Sequence, residues 1–258
     1  MNNHLVIKLG GNILKEKIEL NNLFKIIANY RNIFNRFIII VHGGGYIVDD
    51  LMNKLSLTIV KKNGLRVTPI DHIDIITGAL AGTANKKFLA CARQHDINAV
   101  GLSLGDGNIV KSTQINEQLG YIGEVFPGKP SLLNTLLNGG YMPIVSSIGI
   151  DNNGYLLNIN ADKAAAAVAL TINADLLLLS DVNGIIDNKG SLITEINRNE
   201  AKKLISNKII TNGMIIKVKA ALTAARVLNR PVNISSWKKS DQLISLLNGY
   251  SIGTRIVY

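Results

Sequence analysis

The chain has 258 residues, 47% of them hydrophobic and 18% charged, and its 28 Lys and Arg against 18 Asp and Glu give a formal net charge of +10. These are the values of a folded domain with a real core, which excludes a disordered chain, and no apolar run reaches the roughly 20 residues of a membrane span. The basic residues are scattered, aromatics are only 5%, and no recognisable module accompanies the charge, so no nucleic-acid partner is expected.

The start, MNNHLVIKLGG, lacks the charged and apolar regions of a signal peptide, which points to the cytoplasm. HLVIKL reads as a strand, but Lys8 interrupts its apolar run, where lysine is rarely buried without a partner. Either its stem snorkels to the surface, or its cation waits at the strand end for an anion. Gly10 and Gly11 follow at once. Leu20 to Phe34 has a helical pattern, and FIIIV is an apolar strand of the kind covered on both faces. It runs into His42, Gly43, Gly44 and Gly45, with another helical stretch behind them. Adjacent glycines are entropically costly to order. Bare backbone N–H groups after a strand suit an anion; tight turns are the other reading.

Asn63-Gly64 reads as a two-residue hairpin turn. Thr68-Pro69 then opens a helix to Gln94, with a cap residue and a proline at the first helical position. Small residues Gly78, Ala81, Gly82 and Ala84 on it allow close approach of another helix. Cys91, the single cysteine, reads as a buried inert thiol. His4, His42, His72 and His95 have no metal-ligand spacing, so no protein metal cage is expected.

INAVGLSL and MPIVSSI are further strands. Between them, GEVFPGKP (Gly123 to Pro130) nearly matches a phosphate loop, but Pro130 stands where a hydroxyl residue would hold Mg²⁺. A turn before a helix at Ser131 is expected instead. Asn153-Gly154 reads as a second two-residue hairpin. In GYLLNINADKAAAA, Asn158 and Asn160 alternate along a strand and share a face. Asp162 falls in the first turn of an alanine-rich helix, Ala161 to Thr171, as a cap or a first-turn acid. A boundary follows near Thr171 to Ala174, before the strand DLLLLS. Asn183-Gly184 then suits a turn or a site loop. Met214 to Leu228 is helical, with Lys217 near its start and Lys219 as neighbour, and RPVNIS is a last strand. The alternation predicts an α/β fold: an open, mainly parallel central sheet sandwiched between helices, in two lobes of residues 1–172 and 173–258.

IKLGG, VHGGG, NGLRVTPIDHIDIITGALAGTANK, GLSLGDG, PIVSSIG, NINADKAAAAVA, LLLLSDVNGI and GMIIKVKAAL together resemble the amino-acid kinase superfamily, essentially from end to end. GLRVTP and NINAD resemble its acetylglutamate branch. The resemblance implies transfer of the ATP γ-phosphoryl group to the side-chain carboxylate of N-acetyl-L-glutamate, the second step of arginine biosynthesis. It implies that the first lobe binds the acid and the second binds ATP with Mg²⁺. By matching motif, Gly44 and Gly45 would contact the acid, with Arg66 and Asn158 on its α-carboxylate end. Lys8 and Lys217 would stabilise the transition state beside the Gly11 amide, and Asp162 would orient both lysines. Asp181, Val182, Asn183, Gly184, Ile185 and Ile186, with Ile209, Ile210 and Thr211, would surround the nucleotide. A homodimer through the helix from Pro69 is also implied. With the first strand at about His4, no N-terminal helix of the arginine-inhibited hexamers is expected. Another superfamily kinase, of the glutamate 5-kinase type, and a silent metabolite-binding regulator remain as alternatives.

Overall fold

In the computed structural model, residues 4–34, 36–62 and 64–258 are described (for 240 and 241, the backbone). An eight-stranded sheet runs Glu195–Ile196, Thr254–Ile256, Val232–Ser236, Asp175–Ser180, His4–Leu9, Phe37–His42, Met142–Ser146, Ala99–Ser103. Its pairings are parallel except that of Val232–Ser236 with Thr254–Ile256. The sheet is continuous across residue 172, because His4–Leu9 pairs with Asp175–Ser180 on one side and Phe37–His42 on the other.

Each central strand is apolar on both faces, and this divides the core in two. Leu5, Ile7, Leu9, Ile38, Ile40, Leu177 and Leu179 face one cluster with the helix Lys17–Phe34. Val6, Ile39, Val41, Leu176 and Leu178 face the other, with the helices Ala161–Thr171 and Asn212–Leu228. Side chains alternate along a strand, so Lys8 falls on the face of Val6, beneath those two helices. Ala164, Ala165, Ala167 and Ala169 are buried on the first of them. Such small side chains let it lie close to both the sheet and its neighbour.

A smaller sheet, ordered Val110–Gln114, Ile122–Pro127, Leu156–Ile159, Ile148–Ile150, sits beside the main one. Among the described residues no helix is long and apolar enough to cross a membrane.

Several local expectations change. Thr68 does not cap the following helix: it is fully buried, its Oγ1 donates to Arg66 O (2.9 Å), and it accepts from Asn158 Nδ2 (3.1 Å). Pro69 takes the cap position, and the expected single helix is Ile70–Thr77, a π-helix Gly78–Ala84, then Asn85–Gln94. At Asn153-Gly154 the turn is longer than two residues. Asp151 carbonyl accepts from Gly154 N–H, its side chain accepts from Asn153 and Tyr155 N–H, and Gly154 has φ +84°. An aspartate just ahead outcompetes the two-residue geometry by satisfying three backbone donors. The same arrangement recurs at Asp187 to Ser191. Strands Lys61–Lys62 and Leu65–Arg66 pair antiparallel as a hairpin, with Gly64 at φ +78°; Asn63 itself lies outside the described residues.

The near-miss phosphate loop is mostly the strand Ile122–Pro127, and only its end turns into the helix Ser131–Asn138. Its amides are consumed internally: Gly128 N–H donates to Thr171 Oγ1 (3.1 Å) and Lys129 N–H to Asn108 O (2.8 Å). Neither is left to cradle a phosphate.

Candidate active site

The C-terminal ends of the central parallel strands carry the site, as expected for an open α/β sheet. His4–Leu9 delivers Lys8, and the helix Ala161–Thr171 delivers Asp162 in its first turn. Asn160, not Asp162, caps that helix, accepting from the Asp162 and Lys163 N–H groups at 3.0 and 3.2 Å. The Asp162 carboxylate is therefore free to meet cations. Its Oδ1 lies 2.9 Å from Lys8 Nζ and 2.8 Å from Lys217 Nζ, and the three side chains are only 9%, 7% and 9% exposed for Lys8, Lys217 and Asp162.

Two ammonium groups on one carboxylate leave a buried net charge of +1. Burial alone would raise the Asp162 carboxyl, but the attraction and hydrogen bonds of the two lysines hold it at about 2. For Lys217, burial and then repulsion by Lys8 outweigh Asp162 and lower the ammonium to about 8. A cation so depressed is short of negative charge, and an incoming anion would supply it. Lys219, by contrast, is exposed.

Beside this triad lies a cavity of about 210 Å³, whose lining includes Gly44, Gly45, Arg66, Asn158 and Asn160. Arg66 is held on the hairpin by an ion pair with Asp49, and its Nη2 lies 3.3 Å from Gly45 O. A guanidinium has five N–H donors, so part of the fork stays available. Leu80, Ser147, Leu65 and Ile122 also line the wall. Neither Asp49 nor Ser147 has a local signal in the sequence, because both are recruited by tertiary packing.

The glycines divide into two kinds. A Cβ on Gly11 would stand 2.5 Å from Gly44 Cα, and one on Gly44 would stand 2.8 Å from Leu80 Cδ2. These two are bare because backbones and a π-helix pack against them. At Gly10 and Gly45 a Cβ would meet no atom within 4 Å, so both face open space. Among the described residues, no backbone acceptor meets the Gly44 or Gly45 N–H.

The residues expected around the nucleotide lie apart from this cavity, along the ends of Asp175–Ser180 and Asn212–Leu228. Asp181, Asn183 and Thr211 are exposed, as are Val182 (38%) and Ile186 (46%), whereas Gly184, Ile185 and Ile210 are buried and Ile209 is intermediate. Asn183 and Ile186 line a separate cavity with Lys239 and Gln242. The strip touches the first glycine loop where Asn12 Nδ2 donates to Asp181 Oδ2 at 3.3 Å.

Residues 3–236 match the model of the amino acid kinase family. The acetylglutamate kinase of Pectobacterium carotovorum subsp. carotovorum (strain PC1) is 59% identical over 255 residues, 99% of each chain. That of Serratia proteamaculans (strain 568) is likewise 59% identical over 99% of each. A solved N-acetylglutamate synthase from Neisseria gonorrhoeae, complexed with coenzyme A and N-acetyl-glutamate, superposes with a TM-score of 0.84 at 24% identity. That match covers 99% of this chain and 59% of the other, and it is a likeness of fold alone.

Proposed function

This chain belongs to the amino acid kinase family, and we propose that it transfers the γ-phosphoryl group of ATP to the side-chain carboxylate of N-acetyl-L-glutamate, the second step of arginine biosynthesis. The observation that carries this reading is the buried Lys8–Asp162–Lys217 triad with its surplus positive charge, set against a cavity walled by glycine backbone and an arginine.

The chemistry asks for little more. The nucleophile is a carboxylate with an ordinary pKa of about 4.3, ionised at neutral pH, so no general base is required. One anion must approach another in line, and the barrier falls by positioning and positive potential. Lys8 and Lys217 neutralise the transferring group, Asp162 orients both, and the Gly11 and Gly44 amides donate to its oxygens. Gly45, Arg66 and Asn158 hold the acid, with Arg66 and Asn158 toward its α-carboxylate end. Asp181 to Ile186 and Ile209 to Thr211 surround ATP. Residues 1–172 thus serve the acid and 173–258 the nucleotide. Mg²⁺ would accompany the ATP phosphates and offset their charge, needing few protein ligands, and the exposed Asp181 would offer it a carboxylate on that strip.

The same reading includes assembly as a homodimer through the π-helical segment. Gly78 and Gly82 have nothing within 4 Å of a Cβ position, which leaves one face bare for a second copy. Light scattering should give twice the chain mass. The cytoplasm, where ATP is available, is the location this reading proposes.

ADP release measured with N-acetyl-L-glutamate, free glutamate and aspartate tests the reaction. Strong preference for the acetylated acid is expected. Equal turnover of free glutamate would move the chain to another kinase of the family.

A further inference from the structure

One buried polar chain lies under the glycine loop and takes no part in the reaction as described. The helix that starts at Asn85 points that side chain into the sheet. Its Nδ2 lies 2.8 Å from Ile144 O and 3.3 Å from Leu102 O, the carbonyls of two neighbouring strands. Carbonyls only accept, which fixes the NH₂ end of the Asn85 amide toward them. The same NH₂ lies 3.0 Å from His42 Nε2, so that nitrogen accepts and the ring proton resides on Nδ1. Nδ1–H then donates to Gly43 O at 3.0 Å.

The surroundings enforce this arrangement. His42 is fully buried and Asn85 is 1% exposed, and the Phe88 ring packs on the imidazole with centroids 4.8 Å apart. A Cβ at Gly101 would stand 2.0 Å from Asn85 Oδ1, so the adjacent strand carries no side chain where the amide needs room. Burial lowers the imidazole to about 4, which keeps it neutral, and a neutral ring is the form that accepts from Asn85.

A trans peptide is planar, with its C=O and N–H pointing in opposite directions. Gly43 and Gly44 share one such plane. With Gly43 O held inward by His42, the Gly44 N–H must point outward, and there it has no backbone acceptor among the described residues. Flanked by two glycines, that plane has no Cβ to resist rotation. We propose that His42 and Asn85 are positioning residues that set the direction of the Gly44 N–H, so that it faces the reacting oxygens before substrate arrives. The inference rests on the phosphoryl-transfer reading for its kinetic consequence, but not for the peptide orientation itself.

Three variants separate the pin from simple packing. His42→Asn keeps an amide donor where Nδ1 stood. His42→Gln keeps an amide near the Nε2 position, to pair with Asn85, and loses the donor to Gly43. His42→Phe removes both. Losing one aligned donor to a transition state lowers kcat by about 10²-fold or more, so His42→Gln should fall that far with the KM for ATP unchanged, and His42→Asn should recover most of the loss. Amide spectra of ¹⁵N-glycine-labelled protein, without substrate, give a second readout. Wild type and His42→Asn should show one Gly44 signal, and His42→Gln should show a shifted or exchange-broadened one. Equal kcat, or an identical Gly44 signal, in His42→Asn and His42→Gln would overturn the proposal, whether or not His42→Phe folds. If wild type fails to phosphorylate the acid, the reaction reading falls alone and the Gly44 signal still decides this one.

Discussion

The cavity proposed for the acid and the strip proposed for the nucleotide are built in opposite ways. The cavity is preassembled: Arg66 is clamped by Asp49, Asn158 rests on Thr68, and the glycine loop is held from beneath by His42. Most of its polar groups are oriented by buried partners before any ligand arrives. On the strip, Asp181, Asn183 and Thr211 stand exposed, and the Thr211 side chain does not cap its own helix. A small acid with few contacts needs preorganised donors, because each misplaced group is a large share of its binding. A nucleotide brings area and charge of its own and can settle on a looser surface. The triad joins the two, with Lys8 from one side and Lys217 from the other.

The sharpest break in that comparison is to remove what joins them. Asp162→Ala would leave two buried ammonium groups facing each other, and stripping one partner from a buried ion pair costs about 3–5 kcal/mol. Chemical denaturation should register a loss of that order. The sign with pH is testable in the same experiment: Asp162 titrates at about 2 when folded, below its ordinary 3.8. Its stabilisation is complete above about pH 4 and is lost as pH falls toward 2.

Next come the lysines. Lys8→Ala and Lys217→Ala should each lower kcat by about 10²–10³-fold, the loss of one transition-state contact, while circular dichroism stays native. Both act on one group, so the double variant should depart from additivity. The exposed Lys219→Ala should change little; an equal loss there would put the wrong lysine in the site.

Arg66→Lys sharpens the contrast between the two regions. It keeps the charge and loses the planar fork, so the KM for the acid should rise about tenfold or more, with kcat and the KM for ATP nearly unchanged. An unaltered KM for the acid would remove Arg66 from the cavity's function. The smallest effect expected is a pH limb. Lys217 is protonated below about 8, so kcat/KM should fall as pH rises through that value. In kcat, with ATP bound, the fall should move to higher pH, because phosphate holds the proton on. A flat profile from pH 7 to 9.5 would contradict this.

Along the chain, period and punctuation determined a good deal. The apolar runs HLVIKL, FIIIV and DLLLLS dictate buried parallel strands, and Lys8 stands out in the first of them because a dry strand face does not tolerate an unpaired ammonium; that it pairs with Asp162 and does not snorkel is seen only in three dimensions. The family motifs point to the same residues. What needed three dimensions was every partnership at long range. Asp162 and Lys217 are 55 residues apart in sequence, and only the stacking of two helices on one sheet face makes them neighbours. Local pattern alone allows Asp162 as a cap, yet Asn160 fills that place and frees the carboxylate. The same pattern makes Thr68 a cap, yet packing turns its hydroxyl toward Asn158. A glycine run suggests backbone bared for a ligand, yet Gly11 is bare for Gly44, and Gly44 for Leu80 and Ala84. Helix and strand signals act over a few residues and survive in the sequence; hydrogen-bond partners and close approaches are set by how whole elements dock, which no local pattern encodes.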